Sequence, residues 1–212
     1  MEYDFSVNEI VYTHNDFLIA SKDYCTPTVP LKGQNADETL LGFVAKSFPE
    51  VLSVCGKNPW EGGALHRLDN ATGGLVVFAR TQDFYDRLMD YQEAGKFEKT
   101  YIADVDSGKT IKGEIKSYFR AFGPGRKMVK AETNPEKSDN GILYATNVTL
   151  LSDKRYECVI TRGFRHQIRV HLASEGCPIK GDKLYNPDSA EPYMHLTCVK
   201  VSWPGFDFRI QL

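Results

Sequence analysis

A chain of 212 residues, 42% apolar and 25% charged, has the make-up of an ordinary soluble protein with room for a sizeable core. Its net charge of −2, five scattered cysteines without a CxxC pair and lack of any apolar run near the roughly 20 residues of a bilayer span argue against a disulfide scaffold, a zinc knuckle and a membrane protein. The opening MEYDFSVNEI is acidic and lacks the basic and apolar regions of a signal peptide, so the expected compartment is the cytoplasm.

In chain order, EIVYTHNDFLIASK predicts two short strands around Asn15-Asp16 as a hairpin. NADETLLGFVAKSFP carries Leu40, Leu41, Val44 and Phe48 at helical spacing and stops at Pro49. After Gly73-Gly74, LVVFA reads as a buried strand. Thr81 then predicts an N-cap for QDFYDRLMDYQEA, where Phe84, Leu88 and Tyr91 share a face and Gly95 closes the end. KTYIADV alternates as a strand does, and Gly108 to Asn140, polar and centred on GPGRK, is expected to contain a loop that is mobile or ordered by a partner rather than a domain boundary. Parts of ILYATNVTLL, RYECVIT, HLTCVKVSW and FDFRIQL are further strands. HQIRVHLASEG is a short helix with Ile168 and Leu172 on one face and Gly176 at its end. Many strands with about three helices, without regular βα alternation, predict an α+β fold with a mixed, mostly antiparallel sheet and flanking helices, in one large domain or two small ones.

The small net charge hides an asymmetry. Residues 1–61 hold 4 Lys and Arg against 9 Asp and Glu, whereas residues 96–130 hold 9 against 4 and residues 154–183 hold 7 against 3. Each basic segment alone reads equally well as solvated surface; together they suit a polyanion bound along part of the molecule.

One segment concentrates the chemistry. HRLDNATGGLVVFAR places a single acid, Asp69, between a basic pair and a glycine turn. His66, Asp69, His166 and His171 lack the HxxxH or HExxH spacing of metal ligands, no second carboxylate stands in a comparable motif, and no nucleophile elbow is present. The local readings that remain are a carboxylate capping a tight turn, which the local sequence favours, and a lone nucleophile, which must stay ionised beside a cation.

Three segments, however, resemble one family in order. His66-Arg67-Leu68-Asp69 followed by Thr72-Gly73 and apolar residues resembles the H-R-L-D-x-x-T-S/T/G-G motif of the RluA family of RNA pseudouridine synthases. KTYIADV resembles its K-x-Y-x-A-x-V, and RHQIRVHLASEGCPIKGDKLY follows its C-terminal motif almost position by position. The resemblance runs from about residue 8 to the end. It implies a single pseudouridine synthase catalytic domain over residues 1–212 with RNA-binding loops, in which Asp69 is the catalytic aspartate, Tyr101 stacks on the target base and Arg169 salt-bridges Asp69. Arg67 fills the gap left by a flipped uridine. His66, Thr72, Arg165, His166, Gln167 and Ile168 belong to the substrate-binding motifs. The implied reaction is an isomerisation of uridine in rRNA or tRNA, with no cofactor or metal and a monomeric enzyme acting on a stem-loop. Two departures stand out: the family's K-P-x-G appears as Lys22-Asp23-Tyr24-Cys25, and Phe164 replaces an arginine whose contact Arg165 or Arg162 would take over. Only 68 residues precede Asp69, so no N-terminal S4 domain is expected. The rival readings are a catalytically silent RNA binder or chaperone and a metal-dependent phosphoesterase using His66, Asp69 and His166.

Overall fold

The computed structural model describes residues 7–106 and 108–212, so most of the acidic opening segment lies outside the described residues. In chain order the elements are β1 Glu9–Thr13, β2 Phe17–Lys22, α1 Leu40–Ala45, β3 Gly73–Ala79, α2 Gln82–Glu93, β4 Glu98–Asp104, β5 Gly113–Phe122 and β6 Met128–Glu132. They continue with β7 Tyr144–Ser152, β8 Arg155–Ile160, α3 Gln167–Ser174, β9 Leu196–Trp203 and β10 Phe206–Arg209. They fall into two compact units. One takes in the described residues up to Phe97 together with Thr197–Leu212; the other is the continuous stretch Glu98–Leu196.

In the first unit β1, β2 and β3 pair antiparallel, β3 pairs parallel with β9, and β10 folds back antiparallel on β9. Every residue of β2 and β3 is buried. That explains why LVVFA is a continuous apolar run rather than an alternating one: both faces of the strand are covered. Aromatic rings fill one side, with Phe84 of α2 stacked on Phe17 at 4.6 Å and Trp203 edge-on to Phe17 at 5.2 Å. Thr81 caps α2 by accepting the Phe84 N–H at 3.4 Å, and Gly95 ends it in the left-handed region at φ 68°. Thr39 caps α1 in the same way through the Gly42 N–H, and Pro49 opens a short 3₁₀ turn where the helical spacing predicts a stop.

In the second unit the antiparallel order is β4-β8-β7-β5-β6. Its core gathers Phe119, Val129, Tyr144 and Val170, with Phe164 and Tyr185 packed against them. Mostly antiparallel pairing, one parallel pair and three α-helices among the described residues make the fold α+β, as the sequence predicts.

The segment Gly108 to Asn140, in which a loop is expected, holds more regular structure than that: the ten-residue strand β5 and its antiparallel partner β6 lie in it, joined by a turn at Pro124–Arg126. The alternation is weak: in β5 only Phe119 is buried, Ile115, Ser117 and Ala121 on its face are half-buried, and so is Tyr118 on the other face between the exposed Lys116 and Arg120. One large buried ring per strand, Phe119, is too little apolar signal to stand out against so many charges.

Candidate active site

The turn that carries Asp69 is clamped from behind by the chain just after β2. The Leu68 N–H donates to the Thr28 hydroxyl at 3.1 Å, and that hydroxyl donates to the Leu68 carbonyl at the same distance, so one side chain fixes the peptide groups on both sides of Leu68. The Thr72 N–H closes the turn on the Asp69 carbonyl at 2.9 Å. Lys22 reaches in from the end of β2 and donates to the carbonyls of Asp23, Thr26 and Asn70 at 2.6, 2.8 and 2.9 Å. Its side chain is fully buried, and burial pulls its pKa down to about 8 against the opposing negative charges of Asp23 and Asp69. Asp69 itself is half-buried. A half-exposed carboxylate on a backbone held at three points can act chemically as a nucleophile or a base.

The glycines after it let chains approach. A Cβ on Gly73 would lie 2.8 Å from the ring of Tyr24, whose hydroxyl shares a 2.9 Å hydrogen bond with the Thr197 hydroxyl. A Cβ on Gly74, at φ 108°, would lie 2.2 Å from the Cys198 carbonyl oxygen, inside the parallel β3–β9 pair. Tyr24 stands in the segment that departs from K-P-x-G. There Asp23 replaces proline and organises the turn itself, accepting the N–H groups of Cys25 and Thr26 at 2.8 and 2.6 Å and the Thr26 hydroxyl at 2.7 Å. These bonds hold the Asp23 carboxyl below its usual range despite the opposing effect of partial burial.

The neighbours of Asp69 divide by exposure. His66 accepts the Val77 N–H at Nε2 and sits edge-on to Phe97, and Thr72 is buried. Arg67 projects outward, its guanidinium held by the nearly buried Glu61 at 2.8 Å. Glu61 carries no motif signal; only the short spacing between the two residues could have paired them.

In the second unit Tyr101 is buried on β4, opposite Cys158 of β8. The α3 segment begins at His166, which adopts the left-handed region at φ 59°. Gln167 accepts the Phe164 N–H and donates to the Ala145 carbonyl and the Thr146 hydroxyl, and Ile168 is buried. These two motif residues therefore brace the start of α3. Phe164 packs against the unit's core, stacked on Phe119 at 5.2 Å, a place that suits an aromatic better than the arginine of the resembled motif. Arg165 turns to the β5–β6 hairpin and donates to the carbonyls of Arg126 and Met128, while Arg162 is exposed. His166 shares a 2.9 Å hydrogen bond through Nδ1 with the Tyr185 hydroxyl. Arg169 is buried and forms a bidentate pair with Asp182, Nε to Oδ2 and Nη2 to Oδ1, both at 2.7 Å. Asp182 and Tyr185 lie within GDKLY, a matched motif to which the sequence reading gave no roles. Among the described residues no three His, Cys, Asp or Glu side chains gather into a group that could hold a metal ion.

The model of the RNA pseudouridylate synthase family matches residues 42–174, a span that contains Asp69, Tyr101 and Arg169. The chain belongs to that family. Its RluA-type motifs agree with the relatives this pseudouridylate synthase family member matches. Ribosomal large subunit pseudouridine synthase D of Yersinia pestis is 28% identical over 177 residues, covering 84% of this chain and 52% of the relative. Ribosomal large subunit pseudouridine synthase C of Rickettsia bellii is 35% identical over 137 residues, covering 61% and 44%. The chain spans about half the length of the curated relatives it matches. The solved structure of human RNA pseudouridylate synthase domain containing 1 superimposes with a TM-score of 0.69 at 19% identity over 100% of this chain and 85% of that one. That of human domain containing 4 gives 0.66 at 19%, covering 96% and 88%. At such identity these two show the fold.

Proposed function

We propose that the protein isomerises uridine to pseudouridine in a structured RNA, with Asp69 as the catalytic carboxylate. The observation that carries the reading is the turn at Asp69, where Thr28 and Lys22 lock the backbone around one half-buried acid. In this reaction the N1–C1′ glycosidic bond breaks, a C5–C1′ bond forms, N1 gains a proton and the C5 proton leaves. Composition and oxidation state are unchanged, so the stoichiometry calls for neither co-substrate nor redox cofactor. Attack of the carboxylate at C6 and assistance at C1′ both require an ionised acid at a fixed position.

Tyr101 supplies the ring that stacks on the flipped base, and Arg169 the cation that keeps Asp69 ionised. Arg67, exposed and tethered only at its tip by Glu61, is the residue that enters the RNA stack when the uridine leaves. The names of the relatives favour ribosomal RNA over transfer RNA as the target. One catalytic domain spanning both units, acting as a monomer in the cytoplasm, is the corresponding cellular reading, in keeping with five free cysteines.

The test is tritium release from RNA labelled at uridine C5, with wild type and Asp69→Asn side by side. Release by wild type and a loss of about 10⁴-fold or more in the variant is the expected result, because both routes need the ionised carboxylate that the amide lacks. Absence of release by wild type from total cellular RNA overturns the reading in favour of a silent RNA binder.

A further inference from the structure

Arg169 is held by a carboxylate and by an aromatic ring. Its Nε and Nη2 are both committed to Asp182, and the two side chains are 6% and 0% exposed. Asp182 cannot swing, because its Oδ1 also accepts the N–H groups of Leu184 and Tyr185 at 3.0 and 3.2 Å. The ring of Tyr185 lies 5.1 Å from the Arg169 guanidinium carbon. That ring is itself fixed by its hydroxyl, which accepts the Val129 N–H at 2.8 Å and shares a hydrogen bond with His166. The three contacts fix the plane of the guanidinium as well as its position. The Nε–Nη2 edge faces Asp182, which directs Nη1 to the opposite side.

We propose that Asp182 is a positioning residue for the reaction, setting the orientation in which Arg169 presents its Nη1 donor. This rests on the role given to Arg169 under the proposed function. A bare need for positive charge would be met by lysine and by a mobile side chain. A fork bound along one edge, stacked on a ring and closed off from water holds its remaining N–H groups in one fixed orientation. Burying an ion pair this completely is a poor way to gain stability. It is a good way to fix a donor, since a displacement of the order of 1 Å in a catalytic group can cost about 10²-fold in rate.

Asp182→Glu keeps the charge and both oxygens but moves them by one methylene. The expected result is a kcat lower by about ten- to a hundredfold, with KM and the RNA dissociation constant within about threefold of wild type. A kcat within about twofold of wild type overturns the proposal, as does a loss confined to KM, since a merely structural pair tolerates the longer acid. If the glutamate variant does not fold, the wild-type protein still decides. In ¹⁵N-arginine-labelled protein the Arg169 Nη groups, identified by their loss in Arg169→Lys, must give separate, slowly exchanging signals. Averaged signals overturn the proposal. Failure of wild type to release tritium would sink the functional reading and leave this measurement unaffected.

Discussion

At the scale of single residues, burial decides which protonation state the fold tolerates, and His171 shows it most plainly. It is fully buried on α3, bonded through Nδ1 to the Thr146 hydroxyl and 4.9 Å from the ring of Phe119. Burial pushes its pKa down to about 4, only partly opposed by Glu175. The folded protein therefore refuses a proton that the unfolded chain accepts near its ordinary value of about 6.5. The resulting stability is complete above pH 6.5 and is lost progressively as pH falls toward 4. Urea unfolding of wild type and His171→Gln at pH 7, 5.5 and 4.5 checks this. The wild type should lose more stability than the variant over that range, and parallel losses would contradict it. Lys22 is the opposite case, a buried group kept close to the turn it serves by three carbonyl acceptors. Its sequence context gave no hint of this: the residue was visible, but its burial depends on contacts with Thr26 and with Asn70, 48 positions away.

At the scale of elements, β3 depends on a position that only glycine fills. Gly74 combines a φ of 108° with a Cys198 carbonyl where its Cβ would go, and the obstructing atom is backbone, which cannot rotate aside. Gly74→Ala should cost about 2–4 kcal/mol, from strain at positive φ together with a disturbed β3–β9 pair. Chemical denaturation measures it, and Gly141→Ala, also at positive φ but with open space around it, should cost less. Elements whose apolar spacing matched their period were legible in the sequence: the β1–β2 hairpin, α2 with its Thr81 cap, and α3 ending at Gly176. The β5–β6 hairpin was not, because ion pairs on its surface, Arg120 with Glu132 and Lys116 with Glu114, fill the strand with charge. The candidate site divides similarly. Asp69, Tyr101 and Arg169 could be named from motifs, whereas Thr28, Glu61 and Asp182 are partners known only once the chain has folded.

At the scale of the whole molecule, the basic segments prove less available than their counts suggest. In residues 96–130, Arg120, Lys130 and Arg126 are spent on Glu132 and Asp139, and Lys109 on Glu175. Lys127, exposed beside the β5–β6 turn, has, like Lys96 and Lys112, no ion pair among those described and is open to a phosphate. Lys127→Ala should weaken binding across RNA sequences and reduce the slope of log K against log salt by about 0.7–0.9. Filter binding from 50 to 200 mM salt tests it, and an unchanged slope would exclude Lys127 from the interface. The route of the chain carries one more consequence. The second unit is one uninterrupted stretch, whereas β3 of the first must wait for β9, more than a hundred residues later, before its parallel edge is filled. During synthesis from the N-terminus, the ribosome releases the later-encoded unit whole while the earlier-encoded sheet still has an open edge at Gly73 and Gly74. The first half of the gene is thus the last part of the protein to finish folding, and a chain stalled before residue 197 leaves the glycine end of β3, beside the Asp69 turn, without its strand partner.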